Sequence, residues 1–470
     1  MASCLERDFP ARLRSNHDMA RFLPRSPLAF VGLAFLLLLG GFIAWNLATP
    51  EQDARVLAIR KSGYPASLRE LDAWYTHVPE SKNAAVVLTK AFAQPGLADG
   101  SSTMTILGDK TWIPTRGHLL DDAAKAQLTA VLATNQVLLE LLHSASAFTN
   151  SRYPVDLMQG FQTLMPHLAK VKGSIQLLTT EALLEASNGE TDKAIATLQA
   201  AGVIADTLEP EPLLISQLVR IAGWAIISKR CELIINGGTL TDEQLSTLQK
   251  MFHDAEQPDA MARGLGGERA SGLAVFMGSQ DQMYLFGGAS SPPAFKDRMR
   301  STLFMGLLKS TGILNKDKAF YLDVMATNMA AAEAPFPERL TLGQQASSAV
   351  LSPPSRMMIF SRMLLPALGR AIQRDGEHAA RIRTTQTAIA VERFRRAHNG
   401  NLPAELSELA PTYLPSLPID PFDGQPLRFK RLASGYSVYS IGADLRDDGG
   451  AEGDPKKQTS AKDITFILEK

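Results

Sequence analysis

LLISQLVRIAGWAIISKRCELIINGGTLTDEQ, residues 213–244, is the stretch on which the fold class turns. Leu213 to Asn236 is a long apolar run containing Trp224, and Gly237-Gly238 interrupts it. Thr241-Asp242-Glu243-Gln244 then has capping-box spacing, in which a Thr hydroxyl and a Gln side chain each satisfy an amide left unpaired by the first helical turn. The stretch predicts a long helix, a sharp break and a second helix. Upstream the same punctuation recurs: Leu177 to Asn188 stops at Gly189, Thr191 opens a helix with Ala194, Leu198 and Ala201, and Pro210 and Pro212 end it. Asp121 or Asp122 caps a segment whose Leu128, Val131, Leu132, Leu138, Leu139 and Leu142 recur at helical spacing. The fold class is therefore mainly α, an array of antiparallel helical hairpins.

Downstream, glycine accumulates between Arg263 and Pro293, at Gly264, Gly266, Gly267, Gly272, Gly278, Gly287 and Gly288. Propensity predicts a long irregular connection there rather than an intact helix. Helices resume from Phe320 to Ala334, pause at Pro335-Phe336-Pro337 and after Pro353-Pro354, and end with a long one from about Leu364 to His398. Ala182 to Ala201 resembles a single tetratricopeptide-like hairpin, without the stacked copies a solenoid needs. Tyr64-Pro65-Ala66-Ser67-Leu68-Arg69-Glu70-Leu71 and Leu402-Pro403-Ala404-Glu405-Leu406-Ser407-Glu408-Leu409 share one pattern, each following a helix that ends at a glycine and each trailed by a tyrosine, Tyr75 or Tyr413. They read as echoes of one supersecondary unit or as two instances of a common helix start.

The 470 residues carry 48 Lys+Arg against 48 Asp+Glu, which removes the electrostatic case for nucleic acid. With 45% apolar and 20% charged residues the chain is too apolar for disorder and too polar for a multi-span membrane protein. Cys4 and Cys231 are too few for a disulfide scaffold.

One segment gives an address. Leu28 to Ala48 contains no charged residue, and its 21 positions reach ~31 Å, about one hydrocarbon thickness. Arg7, Arg12, Arg14, Arg21 and Arg25 precede it, while Glu51 and Asp53 follow. The positive-inside rule then keeps residues 1–27 in the cytoplasm as a basic arm and places the rest outside. A cleaved signal peptide is the competing reading, but cutting after Ala48 or Ala44 puts Asn46 or Phe42 where a small residue belongs. The expected location is the inner membrane, single-pass, with a periplasmic or extracytoplasmic body and the bilayer as a partner through residues 28–48.

Catalytic patterns are sparse. No Gly-x-Ser-x-Gly elbow occurs, and Gly306-Leu307-Leu308-Lys309-Ser310 lacks the second glycine of a phosphate loop. The eight histidines are never closer than 20 residues to one another, so no helical metal pair exists. Glu181 and Glu185, one turn apart, read as a solvated helix face before they read as paired catalytic acids.

The last ninety residues differ in kind. A helix from Thr384 to His398 leads to Asn399-Gly400-Asn401-Leu402-Pro403, then Leu417-Pro418-Ile419-Asp420-Pro421-Phe422, then two alternating strands, Leu427 to Leu432 and Tyr436 to Ile441, and Ser440-Ile441-Gly442-Ala443-Asp444. This order resembles the globular part of the major pseudopilin of type II secretion systems, and also a module carried by membrane proteins of planctomycete-type bacteria. The resemblance covers residues 380–470 and implies a small α+β module with a short antiparallel sheet. It also implies a structural calcium ion held by the carbonyl of Ile441, by Asp444 and by Asp463. Eighteen residues separate the two aspartates, with Lys456, Lys457 and Lys462 among them.

The organisation expected is an arm (1–27), a transmembrane helix (28–48), a helical periplasmic domain (49–379) and the pseudopilin-like module (380–470). The function expected is a membrane-anchored scaffold or envelope-assembly protein working through protein contacts, with no catalytic activity indicated. Two alternatives stand beside it: an accessory of a type II secretion or pilus-like system, and a periplasmic hydrolase or binding enzyme whose site comes together only in the fold.

Overall fold

The computed structural model describes residue 40 and residues 53–109, 111–277, 306, 308, 310–351, 358–366, 368–453 and 463–469. The helices are α1 Ala54–Lys61, α2 Leu68–Trp74, α3 Ala84–Phe92, α4 Ser102–Gly108, α5 Asp122–Thr134, α6 Gln136–Ala145, α7 His167–Ser187, α8 Thr191–Asp206, α9 Leu214–Gly237, α10 Asp242–Ala255, α11 Ala260–Met277, α12 Ile313–Glu333, α13 Glu338–Leu351, α14 Ile359–Leu364 and α15 Leu368–Ala397. Strands β1 Arg428–Leu432, β2 Gly435–Ser440 and β3 Ile464–Glu469 form one antiparallel sheet in the order β1-β2-β3. The protein is mainly helical with a small sheet. Among the described residues no helix is long and apolar enough to cross a membrane. The expected span lies outside them apart from residue 40.

Local chemistry explains the helix starts. The Thr241 hydroxyl accepts from the Gln244 amide at 3.2 Å, and the Gln244 side-chain oxygen accepts from the Thr241 amide at 2.8 Å, so the capping box is complete. Asp121, rather than Asp122, caps α5 by accepting from the Ala124 amide. The segment beyond it is not one helix. Asn135 leaves helical geometry and donates its amide to the Thr103 hydroxyl and the Val131 carbonyl, dividing α5 from α6. Gly189, at φ 82°, supplies the left-handed residue that ends α7. The two echo segments share one local bond, Glu70 accepting from the Ala66 amide at 2.8 Å and Glu408 from the Ala404 amide at 2.6 Å, but the first continues as an α-helix, Leu68–Trp74, and the second as a single 3-10 turn, Leu406–Leu409.

The glycine-rich stretch corrects the sequence reading. Helix α11 runs unbroken through Gly264, Gly266, Gly267 and Gly272. A Cβ on Gly267 would lie 1.7 Å from the Pro212 carbonyl oxygen, and one on Gly272 would lie 2.0 Å from the Tyr321 hydroxyl. These glycines permit close approach by other segments, a tertiary cause that propensity does not contain. The remainder of that stretch, 278–293, falls outside the described residues.

Two cores organise residues 55–470, which form one compact unit. The first joins α3 and α5–α10 to the C-terminal part of α15 and the sheet, through Leu178, Trp224, Phe252, Ile389, Tyr436 and Phe466. The second gathers α11–α14 on the first turns of α15, at Leu368, Ala371 and Ile372. At 30 residues, ~45 Å, α15 serves both cores, and position 380 falls in its middle. Strand β3 was not expected from sequence; it pairs with β2, and its outer edge is closed by Asn236 of α9, which donates to the Ile467 carbonyl and accepts from the Glu469 amide. Cys231 is a free thiol buried in the first core.

Candidate functional site

Two motifs of the C-terminal segment, Asp420-Pro421-Phe422 and Ser440-Ile441, meet at one carboxylate. Asp420 is fully buried, in a turn that Gly424 completes at φ 72°. Its Oδ1 accepts from the Phe422 amide at 3.0 Å and the Ser440 hydroxyl at 2.8 Å. Its Oδ2 accepts from the Ile441 amide at 3.0 Å and from Arg428 at 2.8 Å. Four donors satisfy a charge that would otherwise be costly to bury. They also pin the Asp-Pro turn to the end of β2. Sequence reasoning saw only the turn chemistry of this aspartate.

The acidic loop behind it spends its carboxylates on its own backbone. Asp444 accepts from the Arg446 amide, and Asp463 from the amides of Gly450 at 2.7 Å and Asp448 at 3.4 Å. Burial, with Asp447 and Asp448 nearby, raises the pKa of Asp463. Ile441 is buried against Ala380 and Phe422. Asp463 thus closes the loop while Asp444 turns onto its own neighbour. Among the described residues no set of three His, Cys, Asp or Glu is grouped as metal ligands.

Phe422 leads from this hub to a groove of about 650 Å³. One wall is α13, where Leu340, Gln344, Ser347 and Leu351 recur at helical spacing; the other is α14 and the start of α15, with Arg362, Arg370 and Ile372. Phe422, Ala443 and Leu445 also line it. The helices touch through small residues: a Cβ on Gly369 would stand 1.8 Å from the Ser347 hydroxyl, and one on Gly343 2.7 Å from Ile372. Leu351 is 83% exposed and Leu445 56%, and Met363 on α14 is exposed beside Arg362. Leu445 also sits in the left-handed region at φ 59°, which costs a leucine about 1–2 kcal/mol. The volume lies in the range of natural binding sites. Sequence reading missed this groove because its walls come from residues 337–373 and 422–445.

The acids noticed in sequence do gather polar partners. Glu181 and His143 of α6 are 2.8 Å apart, and that hydrogen bond raises the histidine's pKa. Burial pushes Glu185 up to about 7 despite a hydrogen bond from Thr197. Two other histidines are structural in their surroundings. His167 packs against Tyr153 and bonds the fully buried Glu211 at 3.0 Å. His378 is pushed down to about 3, chiefly by burial and also by Arg220, so it is neutral in the core.

No family model, curated protein or solved structure matches the chain.

Proposed function

We propose that the protein is a single-pass, membrane-anchored scaffold, held in the inner membrane through residues 28–48, whose periplasmic or extracytoplasmic body binds protein partners of the cell envelope. The observation that carries this reading is the groove: an apolar, arginine-bearing concavity rimmed by exposed leucines, one of them kept in an unfavourable backbone conformation. Isolated exposed leucines are ordinary, but two on the rim of one concavity, Leu351 and Leu445, support a contact surface. The accessory role in a secretion or pilus-like machine draws support from Asp420, because the two motifs that carry the resemblance make one bonded unit there. The calcium ion of that resemblance is likewise a proposal. Titration of the purified protein with millimolar calcium raises its melting temperature if Ile441, Asp444 and Asp463 bind the ion, and no shift rejects it.

The test of the main reading is crosslinking of the tagged full-length protein in its native membrane, with a topology reporter at the C-terminus. Partners recovered with the parent are lost with Leu445→Arg at unchanged melting temperature. Equal recovery from the variant, or a reporter active only in the cytoplasm, rejects the proposal. A point variant is needed because truncation at 380 would cut α15 and strip the sheet from the first core.

A further inference from the structure

Resting on that reading, we infer that the groove between α13 and α15 receives an acidic amphipathic helix of a partner protein, about three turns long. Charge comes first. Arg362 and Arg370 are exposed, neither ion-pairs with a described residue, and no Asp or Glu is among the described residues that line the groove. Asp444, between Ala443 and Leu445 in the chain, is turned onto the Arg446 amide. Two guanidiniums with no counter-ion among the described residues, beside an apolar floor, favour carboxylates, which they bind in a bidentate fork.

Composition and length select the kind of occupant. An alkyl chain would leave the exposed side chains of Thr341 and Gln344 desolvated without partners, at a cost for each, whereas Ser347 and Gln373 already donate to the Gly343 carbonyl and to Glu377. The polar face of a peptide helix supplies those partners. Leu340 to Leu351 spans ~17 Å along α13, enough for a docked helix of about three turns, whose anchors at i, i+3 or i+4, and i+7 occupy ~10.5 Å of it. Leu351 and Leu445 supply exposed apolar contacts for those anchors.

A photo-crosslinking residue placed at Leu351 in the full-length protein, irradiated in native membranes, tests this, with the same residue at exposed Leu164 as the control. The inference holds if the position-351 adduct is a protein whose crosslinked peptide carries carboxylates and apolar residues at helical spacing. The paired variant Arg362→Glu/Arg370→Glu must also cut that adduct at least tenfold, while Arg362→Lys/Arg370→Lys keeps most of it. Melting curves verify folding, and Arg362→Gln/Arg370→Gln replaces the reversal if that variant does not fold. A protein adduct indifferent to charge, or a crosslinked peptide without acids, overturns the acidic helix and leaves the contact reading standing. A lipid adduct, or none above the Leu164 control, overturns both.

Discussion

The Ser440 hydroxyl donates to the Asp420 carboxylate at 2.8 Å across twenty residues of chain, joining a turn to the end of a strand inside the protein. Arg428 reaches the same carboxylate and also pairs with Asp423, which retains partial exposure. Asp420→Ala leaves the Ile441 amide and the Ser440 hydroxyl without their acceptor, and is expected to cost about 3 kcal/mol in denaturant unfolding of the detergent-solubilised protein. Asp423→Ala removes a more exposed partner of the same arginine and costs less than about 1 kcal/mol. Equal losses from the two variants would show that Asp420 is not the hub.

Gly267→Ala sets two forces against each other. Alanine gains roughly 1 kcal/mol of helix propensity in α11. Its methyl group would stand 1.7 Å from the Pro212 carbonyl, which is backbone and yields little. Overpacking outweighs propensity, and a net loss of about 2 kcal/mol is expected. Gly108→Ala at the end of α4 meets nothing within 4 Å and should be neutral or stabilising. Paired thermal melts decide it: a stabilised Gly267→Ala protein contradicts the packing of α11 on Pro212.

The same glycines show where sequence reasoning reaches its limit. Thr241 and Gln244, Asp121, and Gly189 could be read because capping and left-handed stops are settled within four residues. Gly267 and Gly272 were misread because their cause is Pro212, fifty-five residues upstream, and Tyr321, forty-nine downstream. Strand β3 was missed for a related reason: its pairing partner and its edge cap, Asn236, are remote in sequence. Asp420 was found as a turn residue, but two of its four donors come from the far end of β2. The groove has no local signature at all.

Stability should fall as pH rises through the range where Glu185 and His143 titrate. Glu185 holds its proton up to about 7 in the folded protein and releases it near 4.5 when unfolded. The folded state therefore binds more protons between those values, and unfolding becomes easier toward neutral pH. His143 acts in the same direction: its raised pKa contributes stability below its usual 6.5 that disappears as pH climbs through the folded value. Glu185→Gln deletes the acid's share. Between pH 5 and 7.5 the variant should lose less stability than the parent, by about 1 kcal/mol once solvent screening of the half-buried group is counted. Urea midpoints at the two pH values measure this, and parallel declines in parent and variant refute it.

Leu445→Gly separates folding from binding. Glycine adopts the left-handed conformation at φ 59° without the Cβ clash, so the backbone strain disappears. The side chain removed is more than half exposed, so little core packing is lost with it. Part of the gain is offset because glycine makes the unfolded chain more flexible, leaving a net stabilisation of about 0.5–1 kcal/mol. A leucine retained at such a position for folding alone would have the opposite sign. If it is retained for contact, the variant melts higher than the parent yet recovers several-fold less partner from native membranes. A variant that melts lower, or one that recovers partner undiminished, breaks the connection between the strained leucine and the groove it lines.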